Sequence, residues 1–307
     1  MVHIDGDYLA YRCAGSSECP AGVARRNVRE KVEAFRDMSG AARAVVQLSL
    51  SGSDKGERAL ISTVKPYQGQ RTHASRPVNW EVLRVYLETH DPILNSAFEV
   101  EGWADREADD GFALASWCSQ NPEVLCAIAA KDKDMRMLAG LHIDWDAYTL
   151  TVVPRGSYEV IGPHDGLVYG HKWFWLQMLQ GDTADNIPGL PLYRGKKIGE
   201  KGAASALAGT TTNGEAFEVV GGGYREHYGE EWADRFVEQA GLLWLRGSKS
   251  AMVHDFLRVV PATEDIQAAA QRLIKRVRTQ RAEINRITAQ AREAEAGEGA
   301  GQSVPAL

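Results

Sequence analysis

An open α/β sheet with helices on its faces is the fold class this sequence predicts, and three observations predict it. Short apolar runs at Val2-His3-Ile4, Ala44 to Leu50 and Val124 to Ala130 have the length and composition of buried strands. Segments with helical spacing of apolar residues lie between them, the alternation expected of an α/β chain. The first and third runs lead directly into acidic residues, Asp5 and Asp7 after one and Asp132 and Asp134 after the other. Carboxyl ends of strands are where open α/β sheets place their ligands.

In chain order, Tyr8-Leu9-Ala10-Tyr11 starts a helix, and Ala24 to Met38 is a basic helix with Val28, Val32 and Phe35 inward. A polar loop, Ser51 to Gly56, follows the second strand. Lys65 to Arg71, with His73 and Arg76, is a basic and aromatic segment suited to gripping phosphates or stacking a base. Asn79 is placed to cap the next helix, whose inward face is Val82, Leu83, Tyr86 and Leu87. Glu107, Asp109 and Asp110 open the apolar helix Phe112 to Trp117, with Glu107 and Asp110 on one face. In an extended Lys131-Asp132-Lys133-Asp134, both aspartates point one way and the lysines turn aside.

His142 to Val153 and Tyr158 to Ile161 read as further strands, with Asp144 and Asp146 as a rival acidic pair. The helix from Trp173 ends at Gly181, and Asp182 and Asp185 follow on the turn before Asn186-Ile187-Pro188-Gly189. Ile198 to Ala203 is a second glycine turn opening a helix, so that two helices joined by a glycine-rich, basic turn can present backbone N–H groups to phosphate. Gly209 to Gly223 reads as a loop, Trp232 to Leu245 as an amphipathic helix, Phe256 to Val260 as a short strand, and Ile266 to Arg292 as a basic helix. The tail from Glu293 to Leu307, rich in Ala, Glu and Gly, is expected to be disordered.

Composition sets wider bounds. At 307 residues and 44% hydrophobic content the chain can bury one large core or two. Its 35 basic and 41 acidic residues leave −6, which is not the charge signature of a general nucleic-acid binder but leaves room for a local basic face. Cys13, Cys19, Cys118 and Cys126 lack zinc-type spacing and read as reduced thiols. No signal peptide or membrane span of about 20 apolar residues is evident. A soluble, cytoplasmic monomer is the expectation.

Converging carboxylates need cations, since two of them about 4 Å apart repel by about 4 kcal/mol at an effective dielectric of 20. A hard oxygen set without His or Cys favours Mg²⁺, with Mn²⁺ as a substitute. Two such ions can support phosphodiester hydrolysis.

The segments HIDGDYLAYR, KPYQGQR, READDGFA, AAKDKDMRML and GDTADNIPG with IGEKGA resemble, in order, the motifs of the 5′-nuclease family, which includes flap endonucleases and phage 5′–3′ exonucleases. The likeness covers Val2 to Pro261, and LLWLRGSKSAMVHDFLRVVP resembles the ending of T7-type phage exonucleases. It implies a PIN-like nuclease domain (1–181) with a mixed, mainly parallel sheet, a part containing a helix–hairpin–helix (182–262), and a basic helix and tail (263–307). By position, Asp5, Glu107 and Asp109 resemble first-metal ligands with Asp110 near them, and Asp132, Asp134, Asp182 and Asp185 resemble second-metal or shared ligands. Tyr67 and Arg71 fall where the family's Tyr-Lys-x-x-Arg motif steers the scissile phosphate beneath a helical arch. Gly189, Gly199 and Lys201 match a hairpin that holds duplex backbone, often around a monovalent cation. The implied substrate is DNA with 5′ ends, nicks or flaps, or an RNA–DNA hybrid.

Departures from that pattern are specific. Gln68 stands where the family has lysine, so a transition-state cation is absent or comes from Lys65 or Arg71. Only Asp54 is placed to replace an acidic residue after the second strand. The hairpin carries extra residues, Leu192 to Lys197, whose Arg194, Lys196 and Lys197 can add duplex contacts. The basic helix beyond Ile266 lies outside the likeness and either grips DNA or a replication partner, or only packs on the domain or sits in solvent. Two rival readings remain: a haloacid dehalogenase-type phosphatase using Asp5 as nucleophile, and a non-catalytic binder of branched or 5′-ended DNA.

Overall fold

The computed structural model describes residues 1–16, 18–70, 76–91, 97–118 and 126–300. Strands β1 (Val2–Asp5), β2 (Ala44–Ser49), β3 (Glu99–Trp103), β4 (Ala127–Ala129), β5 (Gly140–Ile143) and β6 (Leu150–Val153) form one sheet in the order β3-β2-β1-β4-β5-β6. Neighbours pair in parallel except β5 with β6. Ile4 of β1 stands beside Val46 on one side and Ala129 on the other. This is a mixed, mainly parallel sheet, and parallel pairing brings the carboxyl ends of β1 to β5 to one edge.

Helices cover both faces, which is why the central strands are mainly apolar and β4 is apolar throughout. Along β4, Ile128 packs with one core and Ala127 and Ala129 with the other, the period-two alternation of a strand. On the Ala127 side lie α1 (Gly6–Cys13), α2 (Ala21–Ser39) and α4 (Trp80–Glu88), contributing Leu9, Val28, Val32, Phe35, Leu83 and Leu87. After α3 (Arg58–Ile61), the opposite face is covered by α5 (Ala108–Cys118), α6 (His171–Gln180), α8 (Asn213–Tyr228), α9 (Trp232–Leu243) and α10 (Glu264–Ala300). A small ribbon of β7 (Val160–Ile161) with β8 (Val168–Tyr169) precedes α6, and α7 (Glu200–Ala206) follows it. The second core holds Phe174, Ile187, Phe217 and Phe236 together, so packing is continuous across residues 181 and 182.

Several local expectations differ from what the structure shows. The stretch Gly209 to Gly223 is mostly helix α8, capped by Thr212 Oγ1 accepting from the Glu215 amide at 3.2 Å. Ala216, Phe217, Val220 and Tyr224 give it a buried stripe, and Gly223 is there for close approach, since a Cβ would meet Tyr193 at 2.8 Å. Phe256 to Val260 is largely a 3-10 helix (Asp255–Arg258), whose apolar run enters the second core. A run that short does not separate strand from buried helix by period. Asp144 and Asp146 lie in the β5–β6 turn, where Asp144 Oδ1 accepts the Asp146 and Ala147 amides and Asp146 pairs with Lys131. Asn79 precedes α4 without capping it, giving its side-chain amide to the Ala14 and Cys19 carbonyls instead. Helix α10 runs on to Ala300, through half of the tail expected to be disordered; residues 301–307 lie outside the described residues. No helix among the described residues is long and apolar enough to cross a membrane.

The turn carrying Asp182 and Asp185 depends on two glycines at left-handed φ. Gly181 sits at +74° and Gly189 at +65°, with the Gly189 Cα packed so closely that an added Cβ would meet the Gly181 nitrogen at 2.2 Å. Gly189→Ala is expected to destabilise the protein by about 2 kcal/mol or more, combining strained φ with a backbone clash. Gly222→Ala, in the open interior of α8 with nothing within 4 Å, should instead stabilise by about 0.5–1 kcal/mol. Urea unfolding of the two variants checks both signs.

Candidate metal centre

Three strand ends and one turn bring the acidic residues together. Asp5 ends β1 and caps α1, accepting the Tyr8 amide at 3.0 Å. Glu107 and Asp109 enter α5 just after β3. Asp132 follows β4 and accepts the Asp134 amide at 2.8 Å, starting the 3-10 helix Lys133–Met137. Asp182 and Asp185 come from the turn after α6, held shut by paired backbone bonds between Asp182 and Ile187. Carboxylate oxygens of Asp134, Asp182 and Asp185 all lie within 4.8 Å of one another.

Burial first, and mutual repulsion after it, show in the proton affinities. Burial, then Asp132, Glu107, Asp5 and Asp134, push the Asp109 carboxyl well above its ordinary value. Burial and Asp132 do the same to Asp134 against the opposing charge of Lys133. Asp5 is raised to about 7, by burial first and Asp7 second. Burial also raises Asp132 and Glu107, the latter against Arg58. Such a set of hard oxygens, crowded and short of positive charge, fits divalent cations of the Mg²⁺ or Mn²⁺ type.

Asp110 was expected near the first metal and faces elsewhere. Its two oxygens accept from the fully buried Arg58 guanidinium at 3.1 and 2.9 Å, and Oδ1 accepts the Arg246 amide at 3.0 Å. Burial alone would raise this carboxyl, but Arg58 and Arg246 win and hold it below its ordinary value. Arg58 also pairs with Glu107 at 3.0 Å, so the shared face of Glu107 and Asp110 is a guanidinium seat.

Tyr67 and Gln68 sit on the carboxylates. Tyr67 donates toward Glu107 Oε2 and Asp185 Oδ2, each at 2.9 Å. Gln68 Nε2 reaches Glu107 Oε1 at 3.0 Å and Asp185 Oδ1 at 3.1 Å, while its Oε1 accepts from Lys55 Nζ. Lys65 is exposed, and Arg71 lies outside the described residues. Asp54 is not in the cluster: it accepts the Gly56 amide at 3.2 Å and pairs with Arg281 at 2.8 Å. Lys133 does not turn aside; because Lys133–Met137 is helical rather than extended, its ammonium points at Asp182 and Asp134, while Lys131 faces Asp146.

At the turn between α6 and α7, Arg194, Lys196, Lys197, Gly199 and Lys201 are exposed. Tyr193 and Lys196 exchange backbone bonds of 2.8 and 3.1 Å, making a tight hairpin tip. Gly189 differs from expectation, being buried and giving its amide to Gln239 Oε1 at 3.0 Å. Several arginines of α10 are bound within the chain: Arg272 to Asp234, Arg276 to the Ile61 carbonyl, Arg281 to Asp54 and Glu57, and Arg286 to Glu283. Sequence reasoning missed Lys55, Arg58, Arg246 and Gln177, whose Nε2 donates to Asp134 at 2.6 Å. Their signal was weak, a few polar residues at chain positions distant from the acids they bind.

The α/β architecture and the carboxylate edge define a class of fold that comparison with solved structures makes specific. The chain shares the fold of a zinc-bound bacteriophage T5 5′-exonuclease, with TM-score 0.56 and 14% identity over 90% of this chain and 99% of that one. A T5 flap endonuclease mutant, described as a pseudo-enzyme-product complex with DNA and metal ions, matches with TM-score 0.53 and 13% identity over 90% and 98%. No family model matches the chain. No curated protein matches it either.

Two consequences can be measured. Arg58→Ala leaves Glu107 and Asp110 buried without their partner and should cost about 3–5 kcal/mol in chemical unfolding. The pH dependence follows from the raised carboxyls. A group that holds its proton more tightly folded than unfolded contributes stability while protonated and loses it as pH rises through its folded value, here from about 4 to about 7 for Asp5. Asp110 has the opposite sign, and its contribution is lost only on acidification. Metal-free protein should therefore melt lower at about pH 8 than at about pH 5.5, with Mg²⁺ or Mn²⁺ raising Tm more at the higher pH. A metal-free Tm that rises over that interval would contradict the assignment.

Proposed function

We propose that this chain is a metal-dependent 5′-nuclease that hydrolyses phosphodiester bonds of DNA at 5′ ends, nicks or flaps, RNA–DNA hybrids included. The observation that carries the reading is the convergence of Asp109 with Asp5, Glu107, Asp132 and Asp134 at one sheet edge, beside the Asp134, Asp182 and Asp185 cluster. The shared fold with T5 structures bound to zinc, or to DNA and metal ions, supports the choice of substrate and cofactor.

On this reading, Asp5, Glu107 and Asp109 hold one ion, and Asp132, Asp134, Asp182 and Asp185 hold or share a second. Two divalent ions, Mg²⁺ with Mn²⁺ as substitute, supply charge that eases deprotonation of an attacking water and departure of the leaving oxygen. The water oxygen bonds to phosphorus as the bond to the leaving oxygen breaks; one proton leaves the water and one ends on the leaving group. Arg58 fixes Glu107 from behind, with Asp110 as its counter-anion, so Asp110 positions rather than ligates. Tyr67, anchored to Glu107 and Asp185, offers an aromatic wall beside the reacting phosphate, with Arg71 steering the strand. The α6–α7 turn acts as the helix–hairpin–helix: Arg194, Lys196, Lys197 and Lys201 face duplex phosphates, with a monovalent cation accommodated at its backbone. The protein works as a cytoplasmic monomer in phage-type replication or host-DNA degradation, and the closing segment from Leu242 to Pro261 allies it with T7-type exonucleases. A phosphatase using Asp5 alone would leave the other gathered carboxylates without a role.

Labelled duplexes with a recessed 5′ end or a 5′ flap test this. Cleavage from the 5′ side with Mg²⁺, lost with chelator and reduced at least about 100-fold by Asp132→Ala, is expected. Tight binding without cleavage in either Mg²⁺ or Mn²⁺ would instead make the chain a structure-specific DNA-binding protein.

A further inference from the structure

We infer that Lys55 is a catalytic residue of this site, supplying through its contact with Gln68 the cation that faces the reacting phosphate. The inference rests on the nuclease reading and deepens it. A phosphoryl group passing through its transition state is stabilised by positive charge aimed at its equatorial oxygens. Arg58 and Lys133 are each bonded to carboxylates, Arg58 to Asp110 and Glu107 and Lys133 to Asp182 and Asp134. The Lys55 ammonium is bonded to an uncharged amide oxygen, that of Gln68. Its charge is therefore matched by no anion in that bond and is available to a substrate phosphate.

The orientation of the Gln68 amide is fixed by its surroundings. Its Nε2 faces three oxygens, of Glu107, Asp185 and the Tyr67 hydroxyl at 3.0, 3.1 and 3.2 Å, and this leaves Oε1 toward the ammonium. One side chain thus spans from the carboxylates to Lys55. The Lys55 backbone is shaped for this placement. Lys55, Gly56 and Glu57 take successive left-handed φ of 54°, 66° and 63°, a sharp bend between β2 and α3. Backbone bonds from Asp54 and Gly56 to the Ala104 and Asp105 carbonyls tie the bend to the segment ahead of Glu107. Arg281 of α10 clamps it from outside, binding Asp54 at 2.8 Å and Glu57 at 2.9 Å on either side of Lys55. Bends held against their preferred conformation gather where a side chain must be aimed.

Single-turnover cleavage of the 5′-flap duplex in Mg²⁺, with binding of the same DNA measured in Ca²⁺ and urea unfolding run alongside, tests the inference. Lys55→Met should slow cleavage by roughly 100-fold or more while DNA Kd moves by less than about threefold. Lys55→Arg keeps a cation at this position and should hold the rate to within about tenfold of the unsubstituted protein. Lys55→Gln provides a second neutral variant should the Met form unfold. Cleavage by a folded neutral variant within about threefold of the unsubstituted rate would overturn the role of Lys55 and leave the nuclease reading standing. A folded Lys55→Arg as slow as the neutral variants would overturn it too, showing that Lys55 acts through the shape of the bend. No metal-dependent cleavage by the unsubstituted protein would overturn reading and inference together.

Discussion

Everything at the carboxyl edge of the sheet depends on one constraint, the repulsion among acidic side chains that the fold forces together. Parallel pairing of β1 to β5 leaves no choice about where Asp5, Asp132 and the start of α5 arrive. Within the protein the repulsion is answered by Lys133 inside the cluster and by Arg58 behind it. These two cations do not restore ordinary proton affinities to Asp109 and Asp134, which burial first and the neighbouring acids second hold up, and on the nuclease reading the excess charge is what divalent ions would relieve. A buried arginine shared by two acids is costly to desolvate, so its value lies in geometry. It holds Glu107 toward Tyr67 and Gln68, the residues through which Asp185 joins the same network.

Related contacts tie the chain beyond α6 to the helices that cover the sheet. The turn bearing Asp182 and Asp185 leaves α6, and its Ile187 and Leu190 enter the core that also holds Phe217 and Phe236. Asp110 meets the Arg246 amide after α9, and α10 reaches back to Asp54, Glu57 and the Ile61 carbonyl. Residues far down the chain therefore set the position of the segment between β2 and Tyr67. Of the basic residues of α10, Arg276 and Arg281 fasten this segment.

Much of the fold and of the acidic set was legible in sequence, for different physical reasons. Strands such as Ala44–Ser49 and Ala127–Ala129 announce themselves because burial on both faces demands mainly apolar runs, with Gln47 the polar exception in the first. The acids were visible because they recur at strand ends in greater number than the caps supplied by Asp5 and Asp132 require. What stayed hidden was the direction of each side chain. Asp110 is one residue from Asp109 yet faces a guanidinium, because successive helix positions diverge by about 100°. Lys133 points inward because a 3-10 helix replaces an extended run, and Lys55 is aimed by three left-handed residues, only one of them glycine. The glycine run inside α8 misled in the other direction, since Gly223 marks close packing against Tyr193 and not a turn.

A net charge of −6 is also reconciled with a polyanionic substrate once charge is located. The acids at the strand ends are concentrated and largely withdrawn from solvent, where they act over short range. The exposed cations of the α6–α7 turn, Arg194, Lys196, Lys197 and Lys201, project toward solvent and act on whatever approaches. On the nuclease reading, duplex phosphates are drawn first to the hairpin, independently of metal. On the same reading, a phosphodiester reaching Asp109 and Asp134 would meet repulsion until divalent ions reversed the local sign. Attraction at the hairpin and metal loading at the edge are then separate requirements, and a protein that is acidic in sum can hold DNA while reserving its reaction centre for the metal-loaded state.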